Sequence, residues 1–249
     1  MLYPQRVDYI LKALQLGQSV KVADLSRALQ ISVDTVRRDL KNMEQEGLVK
    51  YVRGGACLPD TVLSFASFAG REIVHAEQKR IAARKACHLV QEGDIVALNS
   101  GTTNTVLSQE LVQLSFPFTV VTNNYAALSI LMQNAYINLI AIGGSVDRLE
   151  RSSYGAQCVQ EFDAYIPDLA FLSLNAVNVS EGFTDFRLNE IPIIQLLARN
   201  SKQVVAVMDG SKFNKLSKRK VLALDEVDVL ISDDLSHAGS LQKAGLKLQ

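Results

Sequence analysis

The sequence predicts two domains of unlike class: a small N-terminal unit of helices closed by a strand pair, and a larger C-terminal α/β domain with a largely parallel sheet. Three observations predict it. Apolar residues recur at helical spacing in three short segments before residue 46, and a short alternating stretch with a Gly-Gly turn follows. From Gly93 onward, apolar strand-like runs alternate with helical patterns. The charge is also divided. Over 249 residues, 26 Lys+Arg balance 26 Asp+Glu. Residues 1–56 nevertheless hold 9 basic and 6 acidic side chains, and the remainder 17 and 20. The neutral total hides a basic head.

Composition excludes several classes. Hydrophobic residues make up 48% and charged residues 21%, which is ordinary for a soluble chain. No apolar run approaches the roughly 20 residues needed to span a bilayer, so no membrane partner is expected. The N-terminus lacks a signal-peptide pattern. Cys57, Cys87 and Cys158 are far apart, form no Cys-x-x-Cys, and share no ligand spacing with His75, His88 or His237. No metal and no cofactor is expected, and three free thiols suit a reducing cytoplasm.

The segment Ser32–Gln45 predicts a helix. Ser32 is a good N-cap. Val33, Val36, Leu40 and Met43 fall on one stripe, and at about 100° per residue Arg38 points the opposite way. Asp34, Thr35, Lys41 and Asn42 flank Arg38, and Arg37 lies nearer the stripe. One face is built to pack, and the other carries short polar groups and cations, as a helix in a DNA major groove needs. An ordinary solvated surface helix has the same pattern, so the neighbours decide. Gln5–Gln15 and Val22–Leu29 predict two preceding helices, and Gln30–Ile31 a tight joint. The order is that of a helix-turn-helix. Gly47 stops the helix. Leu48–Arg53 alternates as a strand, and Gly54–Gly55 makes the next turn. A strand pair there is a wing that brings Lys50 and Arg53 near phosphates.

Residues 57–76 predict a linker, with Pro59 and Gly70 but also Val62, Leu63, Phe65 and Phe68. That apolar content suits packing on a domain or on a second subunit. Glu77–Val90 predicts a helix whose Lys79, Arg80, Arg84 and Lys85 read as a solvated face. Strands are expected near Ile95–Leu98, Thr119–Val121, Leu139–Ile142, Leu169–Leu172, Val204–Met208 and Val229–Ile231. Helices are expected near Thr103–Leu114, Tyr125–Gln133, Gly155–Phe162, Leu188–Arg199 and Leu235–Lys243.

Ligands of such sheets bind beyond the carboxyl ends of the strands, and the informative residues gather there. Ser100, Gly101, Thr102 and Thr103 follow the first strand and open a helix, an arrangement that favours an anion. Thr122, Asn123 and Asn124 follow the second. Gly143 and Gly144 follow the third, with Arg148 shortly after. Asp209 to Lys212 follow the fifth. Four such loops with two cations point to a small molecule bearing phosphate.

The run Val20–Ala56, with its Ser32-x-x-Thr35-x-Arg37-Arg38-Asp39-Leu40 core and its Glu46-Gly47-Leu48 turn, resembles the winged helix-turn-helix of the DeoR family of bacterial repressors. Arg53 stands where the family's wing usually has His. Ser100–Thr103, Thr122–Asn124, Gly143–Gly144 with Arg148, Gly182-x-Thr184, Glu190 and Asp209-x-Ser211-Lys212-Phe213 resemble, in order, that family's sensor domain. Asn99, Asn104 and Ser173 depart from its usual Asp, Thr and Gly.

The resemblance implies a C-terminal sensor domain similar in fold to ribose-5-phosphate isomerase and the CoA transferases. It implies an effector site that holds a sugar phosphate at Ser100–Thr103, with Lys212 in the pocket. The domains expected are residues 1–56, a DNA-binding winged helix-turn-helix, and residues 77–249, an effector-binding sensor. The partners expected are double-stranded operator DNA, a phosphorylated sugar effector and a second copy of the chain, as a homodimer or tetramer. An isomerase on the same fold could use Glu190 or Asp209 as base and Lys212 beside an enediolate. The attached helix-turn-helix argues against an enzyme.

Overall fold

A computed structural model of the chain describes residues 2–17, 19–57 and 68–249. The expected linker falls largely on residues 58–67, with Pro59, Val62, Leu63 and Phe65, which lie outside the described residues. The chain divides into two compact units, Met1–Val74 and His75–Gln249.

In the first unit the apolar spacing produces α1 (Tyr3–Gly17), then β1 (Ser19–Lys21), α2 (Val22–Leu29), α3 (Val33–Gln45), β2 (Lys50–Val52) and β3 (Gly55–Cys57). Val7, Ile10, Leu11 and Leu14 of α1 meet Leu25, Leu29, Val36, Leu40 and Met43 in one buried cluster. Val33, expected on this stripe, is instead 38% exposed in the first turn of α3. The stripe takes in Asp39, which is buried because Arg6 of α1 grips it twice, Nε to Oδ2 at 2.6 Å and Nη2 to Oδ1 at 2.9 Å. The wing is three-stranded, in the order β1-β3-β2, antiparallel throughout. Sequence reading finds only two of its strands, because β1 is three residues long. Gly55 is needed where β3 crosses β1, since a Cβ there would lie 2.0 Å from the Val20 carbonyl oxygen.

The remaining elements are α4 (Phe68–Ile73), α5 (Ala76–Cys87), β4 (Ile95–Leu98), α6 (Thr102–Leu111), β5 (Phe118–Thr122), α7 (Tyr125–Leu131), β6 (Ile137–Ala141), β7 (Ser145–Asp147), β8 (Ser152–Tyr154), α8 (Ala156–Asp163), β9 (Leu169–Ser173), β10 (Ala176–Asn178), β11 (Gly182–Asp185), α9 (Ile191–Asn200), β12 (Gln203–Val207), β13 (Arg219–Leu222), β14 (Val229–Ile231) and α10 (Gly239–Lys243). Six strands form one sheet, in the order β14-β12-β9-β4-β5-β6, and every neighbouring pair is parallel.

Alternate residues of the strands feed two cores. Val96 and Leu98 of β4 pack with Ala82 and Ala86 of α5 and Leu107 and Leu111 of α6. Ala97 packs with Cys158 and Phe162 of α8 and Ile193 and Leu197 of α9. Helices therefore cover both faces, which explains why the strands are apolar runs without alternation. Sequence reading misses the hairpin β7-β8 and the antiparallel sheet β10-β11-β13, whose strands run for three or four residues. It also overextends the last helix, which covers Gly239–Lys243.

The strand order fixes where a ligand can sit. From β4 the chain winds outward through β5 and β6, then returns to lay β9 on the other side of β4. The switch point lies between β4 and β9, and the loops leaving their carboxyl ends border the crevice. Those loops hold Asn99–Thr103 and Ser173–Asn175.

Candidate functional site

Two regions carry the polar residues singled out by sequence, one in each unit. On α3, the Ser32 hydroxyl accepts the Thr35 N–H at 3.2 Å and lies 2.8 Å from the Thr35 hydroxyl. Arg37 Nη1 reaches Asp34 Oδ1 at 3.2 Å. These four residues are matched among themselves in the protein alone. Arg38 and Lys41 are exposed on the same helix, and neither makes an ion pair among the described residues. Lys50 and Arg53 are exposed on the wing. Two ties hold the wing against the helices: Tyr51 N–H to Glu44 Oε1 at 2.8 Å and Val22 N–H to the Gly54 carbonyl at 2.9 Å.

In the second unit the loop after β4 is wholly buried from Asn99 to Thr103. Asn99 bonds Ser173 at both ends of its amide, donating to the carbonyl at 3.2 Å and accepting the N–H at 2.8 Å. A carboxylate could not donate, so Asn here stitches β4 to β9 beyond the last strand pair. Gly101 has φ +139°, and a Cβ on it would lie 2.4 Å from Ser173 Oγ and 2.9 Å from Arg187 Nη1. Its glycine is thus required by protein packing before any ligand is considered. The Ser100 and Thr103 hydroxyls are buried without a hydrogen-bond partner. Unpartnered buried hydroxyls cost stability, and two of them at a topological switch point mark a place where a ligand can supply the missing acceptors.

Glu190 joins this loop from the start of α9. It does not cap that helix with its side chain. Instead its Oε1 accepts the Ser100 N–H at 2.7 Å, and Asn123 Nδ2 donates to its carboxylate at 3.2 Å. Burial pushes the Glu190 carboxyl up to about 7, against the pull of Arg187, the Ser100 N–H and Asn123. Sequence reading missed Arg187. Burial opposes its charge, but Asp185 outweighs burial and holds its pKa above the usual range. Two bonds go to Asp185, and one each to the Ser100 carbonyl at 2.7 Å and the Ser173 carbonyl at 2.7 Å. Arg187 therefore ties loops together. The only signal in sequence is the Asp-x-Arg spacing of Asp185-Phe186-Arg187.

Arg187 and Glu190 also line a cavity of about 280 Å³ with Asp147, Glu150 and Ser152. Arg148, expected here, is exposed and does not line it. Thr122 donates to the Leu98 carbonyl at 2.7 Å, and Asn124 caps α7 and bonds the Gly101 carbonyl at 3.2 Å. Both hold strand ends in place. Gly143 donates its N–H to Glu161, and Gly144, at φ +134°, packs against the Tyr154 carbonyl and Cys158. The Gly-Gly pair thus has a packing role of its own.

Beyond β12, Asp209 is buried and its Oδ2 has no hydrogen-bond partner. Burial alone would raise its carboxyl, but Lys212, Lys79, Ser211 and His75 outweigh burial and hold it low. Lys212 Nζ donates to the Leu174 carbonyl at 2.9 Å, one residue beyond the Ser173 that packs on Gly101. Lys79 is 3% exposed. The expectation that it belongs to a solvated face is overturned, since it lies on the inner side of α5 beside Asp209. Cys87 and Cys158 are buried, with thiols pushed up by burial to about 11 and about 12. Among the described residues no His, Cys, Asp and Glu gather as a metal site, and no helix is long and apolar enough to cross a membrane.

Residues 6–62 match the DeoR-like helix-turn-helix domain, and residues 74–234 match the DeoR C terminal sensor domain. The chain belongs to the DeoR family. Its DeoR-family relatives include the HTH-type transcriptional regulator GolR of Listeria innocua, 30% identical over 98% of this chain and 97% of that protein. They also include the HTH-type transcriptional repressor GlcR of Bacillus subtilis, 30% identical over 94% of this chain and 90% of that one. Ribose 5-phosphate isomerase A of Methanocaldococcus jannaschii aligns with 56% of this chain and 55% of its own at 20% identity and a TM-score of 0.41. That likeness is one of fold and carries no activity across. As a DeoR-family protein the chain is a DNA-binding transcriptional regulator with a small-molecule sensor domain, and not an enzyme.

Proposed function

We propose that this regulator represses a carbohydrate-utilisation operon and that a phosphorylated sugar sets its affinity for operator DNA. The α3 face reads the major groove. Arg38 and Lys41 meet bases or phosphates directly, and Ser32, Asp34, Thr35 and Arg37 exchange their mutual bonds for contacts with DNA. Lys50 and Arg53 contact flanking phosphates. A single α3 reads too few base pairs for genomic specificity, so the working form is a homodimer or tetramer on paired half-sites.

One observation carries the effector reading: the Ser100 and Thr103 hydroxyls are buried and unpartnered at the β4–β9 switch point. The phosphate occupies the Ser100–Thr103 turn, where the start of α6 favours an anion, with Lys212 nearby. The sugar hydroxyls extend toward Glu190 and the carboxylates of the adjoining cavity. Asn123, Asp209 and the loops that Thr122, Asn124, Gly143 and Gly144 hold in place shape the pocket. A thermal-shift screen of sugar phosphates against their unphosphorylated sugars tests this. A ligand at 100 times its Kd stabilises by about 2.7 kcal/mol. Stabilisation by a sugar phosphate, and none by the bare sugar, is expected. Equal stabilisation by both would overturn the phosphate assignment.

A further inference from the structure

We propose that the outer edge of β6 is the pairing edge for a second copy of this chain, and that two sensor domains join there into one sheet by antiparallel β6–β6 contact about a two-fold axis. This rests on the homo-oligomer reading above and deepens it by naming the surface and its register.

The six-stranded sheet ends on β14 at one side and on β6 at the other. The β14 edge is covered by the chain itself. Leu230 N–H donates to the Lys247 carbonyl at 2.8 Å, Gln249 N–H to the Leu230 carbonyl at 2.9 Å, and Ser232 N–H to the Gln249 carbonyl at 3.1 Å. The β6 edge has no such cover among the described residues, where β6 pairs with β5 alone. The Tyr136 carbonyl accepts the Phe118 N–H at 3.4 Å, and Ile142 N–H donates to the Thr122 carbonyl at 2.9 Å. Even-numbered residues of β6 therefore turn their backbone groups toward β5, and odd-numbered residues turn theirs outward. Ile137 spends its N–H on the Asn134 carbonyl at 3.2 Å. Leu139 and Ala141 are left with outward backbone groups that bond nothing among the described residues.

An open edge is a template for pairing, and chains that avoid pairing protect it with charge, above all with Lys, or with Pro. Here the opposite is found. Between Glu110 and Asp147 the sequence has no Asp, Glu, Lys, Arg or His, although 21% of the chain is charged. Met132 and Tyr136 in the turn that leads into β6, and Val146 in β7 that follows it, are 70%, 54% and 55% exposed. The occupant follows from this chemistry. A two-fold interface sets a surface against itself, so any charge near the axis meets its own like. A neutral, apolar surface with a free strand edge meets that condition, and it offers no ion pair to a charged partner. A two-fold axis beside an edge strand also makes the new pairing antiparallel. The register that uses both free residues and spares Ile137 is centred on Ile140, with Leu139 exchanging backbone bonds with the partner's Ala141.

The test compares the full-length wild type with a Met132→Lys, Ala141→Lys double variant by sedimentation equilibrium. Both positions are exposed, so the variant should melt like the wild type. Its self-association should weaken by at least about tenfold, since two ammoniums would be buried at the contact. Leu216→Lys, at an equally bare apolar position elsewhere in the sensor, should associate like the wild type. A second arm uses Ile140→Cys in a Cys57→Ser background. At the proposed register residue 140 faces itself across a non-hydrogen-bonded pair with Cα atoms about 4.5 Å apart, within reach of a disulfide. Mild oxidation should give a covalent dimer, whereas Lys247→Cys on the covered edge should not. If the double Lys variant does not melt cooperatively, the Cys pair decides alone. A folded double variant that associates like the wild type, or an Ile140→Cys protein that stays uncrosslinked, would overturn the proposal and leave the homo-oligomer reading standing. A wild type that is monomeric with and without DNA overturns both.

Discussion

The Glu190 carboxylate accepts the Ser100 N–H at 2.7 Å, so the start of α9 and the loop after β4 share one buried hydrogen bond across 90 residues of sequence. Burial pushes the Glu190 carboxyl up to about 7 from its ordinary 4.5. The folded state therefore holds a proton that the unfolded state releases. No cost is present below about 4.5. The cost grows as pH rises from about 4.5 to 7 and is constant above. Glu190→Gln removes this slope. Its amide oxygen can still accept from Ser100, and its NH2 can donate to Asn123 Oδ1, which is now unpartnered. Urea melts at pH 5 and pH 8 should show the variant gaining on wild type at the higher pH, by up to ~3 kcal/mol. A difference that does not change with pH would show that Glu190 is ionised in both states.

Gly101→Ala should destabilise the sensor domain by about 2–4 kcal/mol, through a forced contact with Ser173 and a positive φ. Adding Ser173→Gly removes the nearer clash and should restore part of the loss. Thermal melts of the single and double variants check both. A silent Gly101→Ala would mean that the glycine serves ligand approach alone.

The Arg6–Asp39 pair bolts α1 to α3. Arg6→Met leaves a buried carboxylate alone and should cost about 3–5 kcal/mol, whereas Arg6→Met with Asp39→Leu should recover most of it. Binding to operator and to random DNA should fall together in the single variant, because the head unfolds. Sugar-phosphate stabilisation of the sensor should persist.

Arg38→Ala should leave the fold intact, since the side chain is exposed. A base contact would make operator binding weaker by about 1–3 kcal/mol and relax specificity at one position, whereas a phosphate contact would weaken all sequences alike and lower the salt slope by about one. Unchanged binding to both kinds of DNA would remove α3 from the groove.

Periodic segments were legible because their patterns are local. The stripe of α3 and the six apolar strands declare themselves within a dozen residues. The buried charges were not. Asp39 and Arg187 look like surface residues until partners 33 and 2 positions away are known, and Lys79 looks like one until the fold buries it. Strands of three residues, as in β1, β7 and β10, are too short to show a period. In the site, sequence pointed to the loops at strand ends, but not to which of their groups are already engaged. Thr122, Asn124 and Gly143 bond within the protein, while Ser100 and Thr103 keep unpartnered hydroxyls.

Thr103→Val is the most direct measurement of the effector assignment. The change keeps the branched shape and deletes a hydroxyl that the protein leaves without a partner. Without ligand, the variant should be as stable as wild type or slightly more so, because a buried unsatisfied group has been removed. With the best sugar phosphate from the screen, its stabilisation should shrink, with affinity lower by about tenfold or more, and operator binding should no longer respond at the wild-type ligand concentration. Unchanged sugar-phosphate affinity in a stable Thr103→Val protein would contradict the placement of the phosphate in the Ser100–Thr103 turn.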